Sequence, residues 1–204
     1  VGLYSKYILP HLLNCACGAR PITKQRQKIV PRAEGVVLEI GFGSGLNLPH
    51  YDAARVKKLF ALEPEQGIRA LGAKAARSAP FPVEIVPTTC EAMPLSNQSV
   101  DMILVTYTLC TIPDAVGAMR AAKRVLKPGG KVLFCEHGLA PDARVQKQQR
   151  AIEPLWKVIA GGCHVTRDVP ALLQAAGYRV GKVDTMYLPS TPKFAGFNVW
   201  GEAA

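Results

Sequence analysis

The chain has 204 residues, 49% hydrophobic and 20% charged, with a formal net charge of +10. That suffices for one domain with a full core and excludes a disordered polymer; no apolar run approaches the roughly 18–20 residues of a membrane span. The positive charge gathers at Arg20, Lys24, Arg26, Lys28 and Arg32 and again at Arg144, Lys147 and Arg150; with no five consecutive like charges it reads as two solvated helix faces, disfavours nucleic acid as a partner and leaves peripheral membrane contact open.

In chain order, residues 1–34 lack the pattern of a secretory signal and are expected to form a helical cap over a ligand crevice. Val36-Val37-Leu38-Glu39-Ile40 reads as a buried strand running into Gly41-Phe42-Gly43-Ser44-Gly45. A second strand over 58–62 stops at Glu63-Pro64, since the residue before proline prefers extended geometry. A helix over 67–77 leads to a third strand, 83–86, ended by Pro87, and 102–105 is a fourth. A helix over 114–126 follows, with Val116, Met119, Ala122, Val125 and Leu126 on one face. The turn Pro128-Gly129-Gly130 precedes a fifth strand, 131–135. After a helix over 168–176, closed by Gly177, runs 178–188 and 194–200 look like an antiparallel pair with no helix between them. Strands alternating with helices imply a doubly wound α/β fold, one domain over 1–204 with the core at 35–204.

In such a sheet ligands bind beyond the carboxyl ends of the strands. Gly41, Gly43 and Gly45 let the backbone turn tightly and approach a ligand closely. The spacing is GxGxG, with Leu46 where a dinucleotide fold puts its third glycine, and no P-loop lysine follows. Glu63, at the end of the second strand, can accept hydrogen bonds from ribose hydroxyls. Together they indicate a nucleoside-containing ligand.

Glu39-Ile40-Gly41-Phe42-Gly43-Ser44-Gly45 resembles the ExGxGxG signature of class I S-adenosylmethionine (SAM) dependent methyltransferases, with Glu63 as its acidic partner. Cys90-Glu91-Ala92-Met93-Pro94-Leu95, Ser99 to Val105 and Arg124 to Gly130 are similar to the family's later motifs, in order. The resemblance implies a mostly parallel seven-stranded sheet with an antiparallel last strand. It also implies SAM held by the Gly41 and Gly43 backbone, by Glu63 at the ribose and by Glu91 and Ala92 near the adenine. Glu39, Phe42, Ser44, Gly45, Asn47, Pro64, Cys90, Thr106 and Leu109 complete the implied cofactor site, and S-adenosylhomocysteine (SAH) is the implied product.

Leu109-Cys110, Glu136-His137 and the segment from Gly162 to Asp168 resemble the methyltransferase-like 7 group, whose animal members methylate alkyl thiols and whose bacterial relatives are often labelled phospholipid or ubiquinone-type methyltransferases. A small thiol is therefore the expected acceptor, with a lipid or quinone precursor as the rival and a non-catalytic SAM sensor as a reading of another class. Methyl transfer from a sulfonium needs alignment and exclusion of water, and a thiol acceptor needs only to lose its proton. His137 and His164 are the candidate helpers, though each also reads as a structural residue. Tyr4, Tyr7, Cys110, Cys163 and Arg167 are candidate substrate contacts, joined by His11 and Pro49-His50-Tyr51. Arg167 suits either an anionic substrate group or an acidic partner, and Asp168 a helix cap. The six cysteines fit no zinc or redox spacing, so no metal site and reduced thiols in a cytoplasm are expected.

Overall fold

Val37 and Leu38, Ile103 and Leu104, and Leu133 and Phe134 are all buried, although neighbours in a strand point to opposite faces. Such strands need cover on both sides. A computed structural model describes residues 9–204, without the side chains of residues 9, 10 and 13. Tyr4 and Tyr7 lie outside the described residues.

Two helices, α1 (Leu9–Cys17) and α2 (Arg20–Ile29), lead into β1 (Gly35–Ile40). There follow β2 (Val56–Leu62), α3 (Gln66–Ala76), β3 (Val83–Val86), β4 (Val100–Thr106), α4 (Ala115–Lys123), β5 (Leu126–His137), α5 (Ala143–Ile159), α6 (Val169–Ala175), β6 (Val180–Tyr187), α7 (Lys193–Gly196) and β7 (Phe197–Ala203). The seven strands form one sheet in the order β3-β2-β1-β4-β5-β7-β6, antiparallel only where β7 pairs with β5 and β6. The order reverses between β1 and β4, which places the switch-point crevice at their carboxyl ends.

One face of the sheet (Leu38, Ile103, Phe134) packs with Met119 of α4 and Leu173 of α6. The other (Val37, Leu104, Leu133) packs with Ile29 of α2 and with Tyr51 and Phe81. Asp114 and Asp168 each cap a helix, accepting from Gly117 N at 2.8 Å and Ala171 N at 3.1 Å. The side chain of Gln149, on α5, is buried and donates to the carbonyls of Gly138, Val165 and Phe194, so it fixes the loops beyond β5 and α5.

Three expectations are corrected. The fifth strand starts at Leu126, paired with Val100, and Pro128-Gly129-Gly130 is a bulge inside it rather than a preceding turn. Gly129 has φ +78° there, and Lys127 Nζ meets Asp101 Oδ1 at 2.6 Å. The last two strands are joined through the short helix α7, where none was expected. The first charge cluster is not a wholly solvated helix face: Arg20, Lys24, Lys28 and Arg32 are exposed, but Arg26 is buried. Among the described residues no helix is long and apolar enough to cross a membrane.

Candidate functional site

The loop after β1 is built on positive-φ glycines, Gly41 at +72°, Gly43 at +59° and Gly45 at +82°. Space is tight at Gly41, where a Cβ would overlap the side chain of Thr108 from the loop after β4, whereas at Gly43 the nearest outside atom would lie 3.7 Å away. The N–H of Gly43 donates to Glu63 Oε2 at 2.9 Å and that of Glu65 to Oε1 at 3.0 Å. Burial raises the Glu63 carboxyl, and these two bonds oppose it. A carboxylate has about four acceptor sites, so Glu63 keeps capacity for ribose hydroxyls. A close glycine backbone with a carboxylate tied to it fits SAM, which when bound supplies an electrophilic methyl group.

The remaining residues of the expected cofactor set have varied environments. Phe42 is buried against α3, and the Ser44 hydroxyl donates to Asn14 of α1. The carbonyl of Pro64 accepts from Arg69 at 2.7 Å. Cys90 is buried, its thiol pushed up to about 12 by burial, whereas Glu91 and Ala92 are exposed. Leu109 is buried.

Glu39, Asn47 and Thr106 form one buried network, in which Asn47 Nδ2 donates to Glu39 Oε1 at 2.9 Å and to Thr106 Oγ1 at 2.9 Å. Its fourth member is Arg26 of α2, a residue that sequence reasoning saw only as one charge among several. Arg26 Nη1 donates to Asn47 Oδ1 at 2.8 Å and Thr106 Oγ1 at 2.7 Å, and its guanidinium lies 5.1 Å from the Tyr107 ring centroid. Its Nε has no partner among the described residues. Tyr107 is itself held at φ +53°, an uncommon conformation for a non-glycine residue and one that gathers at functional turns.

Burial pushes the Glu39 carboxyl up to about 7, against hydrogen bonds from Tyr51 and Asn47 and the charge of Arg26. The folded protein thus holds this proton more tightly than the unfolded chain does. Glu39 costs nothing below its ordinary value of 4.5, and its penalty grows as pH rises to about 7. The full penalty is about 3 kcal/mol. Glu39→Gln, which cannot ionise, is expected to gain that amount on the wild type between about pH 4.5 and 7.5 in urea melts. A difference that does not change with pH would mean that Glu39 is ionised throughout.

Beside the carboxyl ends of β4 and β5, Glu136 is buried and accepts from Thr108 N at 2.8 Å and Leu109 N at 3.1 Å, which pins the loop after β4. Burial pushes its carboxyl up to about 7. His137, the last residue of β5, has Nε2 3.0 Å from Cys163 Sγ. Burial alone would lower this imidazole, but the bond to Cys163 and its charge outweigh burial and hold it above its usual value. Cys110, His137 and Cys163 bring their ligand atoms within 4.8 Å of one another. Of these two neighbouring cysteines, Cys163 is held low by the adjacent Cys110 thiol and by His137, and Cys110 is raised by Cys163 and by burial. The Trp156 indole N–H also donates to Cys163 Sγ, at 3.3 Å.

The other candidates separate from this group. His164 Nδ1 lies 2.9 Å from Glu153 Oε1, a partner on α5 that the sequence reading missed, and Glu153 also accepts from Thr166 N at 3.0 Å. Arg167 has no acidic partner among the described residues: it donates to the carbonyls of Leu109 and, at 3.4 Å, Pro113. Tyr51 was expected among the acceptor contacts, but it is a buried core residue, donating to Glu39 Oε2 at 2.7 Å with its ring edge-on to Phe81. His11 is exposed and His50 half-buried.

Residues 38–134 match the family model described as a methyltransferase domain. The chain is 31% identical over 139 residues to thiol S-methyltransferase TMT1B of Rattus norvegicus, covering 66% of this chain and 56% of that protein. It is 24% identical over 178 residues to human thiol S-methyltransferase TMT1A, covering 85% and 72%. The match thus spans little more than half the length of the rat protein. Among solved structures, a methyltransferase in complex with the Haloferax volcanii Trm112 activator superposes with a TM-score of 0.73 at 14% identity, covering 100% of this chain and 97% of that one. A methyltransferase from Bacillus halodurans C-125 superposes with a TM-score of 0.70 at 16% identity, covering 88% and 96%. The signature loop with Glu63, the methyltransferase-domain match over residues 38–134 and these relatives agree: the chain is similar to SAM-dependent methyltransferases in fold and in its cofactor loop.

Proposed function

We propose that the protein transfers the methyl group of SAM to the sulfur of a small thiol, releasing SAH, with residues 1–34 serving as a cap on a catalytic core of 35–204. The observation that carries this reading is the meeting of Cys110, His137 and Cys163 within 4.8 Å, in segments that follow or end β4 and β5. A site that already favours thiolate beside an imidazole favours thiolate in an acceptor as well, and a thiolate needs no further activation. Similarity to the two TMT1 proteins, named as thiol S-methyltransferases, supports the same reading.

The test is transfer from labelled SAM to a panel of alkyl thiols, amines, phenols and phosphatidylethanolamine, followed by SAH release. Thiols are expected to be methylated. Glu63→Ala, which removes the ribose acceptor and the tether of Gly43, is expected to lower the rate at limiting SAM by about a hundredfold. Transfer to amines or phenols with thiols inert would defeat the assignment, and tight SAM binding with no transfer to any acceptor would favour a sensor.

A second reading, methylation of a lipid or quinone precursor at a membrane surface, is favoured by exposed Leu155 and Val158 on α5, which also carries exposed Arg144, Lys147 and Arg150. A ubiquinone/menaquinone C-methyltransferase of Klebsiella pneumoniae is 39% identical over 96 residues, 47% of this chain and 34% of that protein. Sedimentation with anionic vesicles at low salt separates the two readings.

A further inference from the structure

We propose that Cys110 Sγ, His137 Nε2 and Cys163 Sγ are three protein ligands of a soft divalent cation of the zinc type, whose fourth position receives the acceptor sulfur. The three-ligand site stands on geometry and donor chemistry; only its fourth ligand rests on the thiol reading above.

The ligand atoms all lie within 4.8 Å of one another, and the His137 Nε2 to Cys163 Sγ distance is 3.0 Å. Around a tetrahedral zinc with bonds of about 2.3 Å to sulfur and 2.0 Å to nitrogen, ligand atoms sit roughly 3.5–3.8 Å apart. Side-chain adjustments of about 1 Å would open the group around the ion. Two thiolates and an imidazole exclude magnesium and calcium, which take oxygen ligands. Two thiolates also neutralise a dication, so the metal-loaded site buries no net charge before the acceptor binds.

The supporting frame suits this role. Cys110 and Cys163 are buried, and the two segments are tied together because His164 N donates to the Cys110 carbonyl at 2.9 Å. Trp156 donates to Cys163 Sγ at 3.3 Å, the kind of outer contact that orients a metal-bound thiolate. Three protein ligands with a fourth position left to substrate are the pattern of a catalytic zinc, whereas structural sites are closed by four. The ligands come from a loop after β4, the end of β5 and a loop after α5, so no compact sequence motif announces them.

The site also answers a difficulty with His137 as a simple base. Its Nε2 is already engaged with Cys163. A cation would do the activating instead: the acceptor R–S–H forms a sulfur–metal bond, its S–H bond breaks and the proton passes to solvent. The sulfur stays nucleophilic as a bound thiolate at neutral pH, where a free thiol with a pKa near 8.5 is mostly protonated.

The test titrates the reduced, chelator-stripped full chain anaerobically with Co2+ and reads absorption. One equivalent with intense thiolate-to-cobalt charge-transfer bands and a tetrahedral d–d envelope, displaced by Zn2+, is expected. Cys110→Ser and Cys163→Ser should each bind Co2+ more weakly by at least about a hundredfold, since loss of even an outer contact costs 10–100-fold. Cys15→Ser, at an exposed cysteine, should bind normally, with SAH binding and thermal melts as controls for folding. Adding 2-mercaptoethanol should shift the d–d bands, and ethylamine should not. Absence of thiolate bands, with thiol methylation intact, overturns the metal site and leaves the thiol assignment standing. A cobalt site indifferent to 2-mercaptoethanol, in a protein that methylates amines, overturns the fourth ligand and the thiol assignment together.

Discussion

In Gly41→Ala protein, SAM and SAH affinity is expected to fall by about a hundredfold, equivalent to roughly 2.7 kcal/mol. Two effects add. Gly41 sits at φ +72°, where a residue bearing a Cβ pays about 1–2 kcal/mol. The new methyl group would also overlap Thr108, whose backbone N–H is fixed by Glu136 and whose side chain therefore moves only at the cost of the loop after β4. Relief by shifting the glycine loop would pull Gly43 from Glu63 and disturb the cofactor cradle directly. Calorimetric SAH titration with a thermal melt checks this: a melt showing a folded protein and an affinity within threefold of the wild type would refute the assigned role of the loop. At Gly43, where an added methyl would lie 3.7 Å from the nearest outside atom, alanine pays the conformational cost without the collision.

Arg26→Met is expected to lower stability by about 3–4 kcal/mol, because a buried side chain donating charged hydrogen bonds to two acceptors is replaced by one that can donate none. For a chain of this size that is a fall of roughly 8–12 °C in melting temperature. Asn47 Oδ1 loses its donor, the Thr106 hydroxyl oxygen is left accepting from Asn47, and Glu39 loses the positive charge that favours its ionised form. The effect should also be regional. Arg26 ties α2 to the segment after the glycine loop and to the end of β4, so hydrogen exchange over residues 20–34 should accelerate more than exchange in the central strands. A melting temperature within about 2 °C of the wild type, with unchanged exchange in α2, would mean that the network holds without its arginine.

The sheet was legible from local rules. Apolar runs, several of them ending at glycine or proline, marked all seven strands, and their alternation with helical faces determined the doubly wound class. Asp114 and Asp168 cap the helices they precede, since a capping carboxylate acts within three residues of its own position. The bulge at 127–130 was misplaced because Pro-Gly-Gly looks like a turn until β4 supplies pairing on both sides of it. Helix α7 is shorter than the window over which periodicity can be read.

By itself the sequence determined the fold class and the cofactor signature, because a glycine loop and an acid at the next strand end are set by backbone geometry within one β-α-β unit. Only the tertiary structure decided which charged residue is buried and which sulfur-bearing residues converge beside the crevice. Arg26 is indistinguishable from Lys24 or Lys28 as a charge, and its burial is set by the strands that α2 happens to cover. Cys110, His137 and Cys163 lie on separate segments that only the parallel pairing of β4 with β5 and the return of α5 bring to one place. The contacts of Arg167 and Tyr51 depend on the same packing: their partners, the Leu109 carbonyl and Glu39, are supplied by segments distant in the chain or by another element. Local conformation follows from neighbours along the chain, but burial and convergence follow from non-local packing.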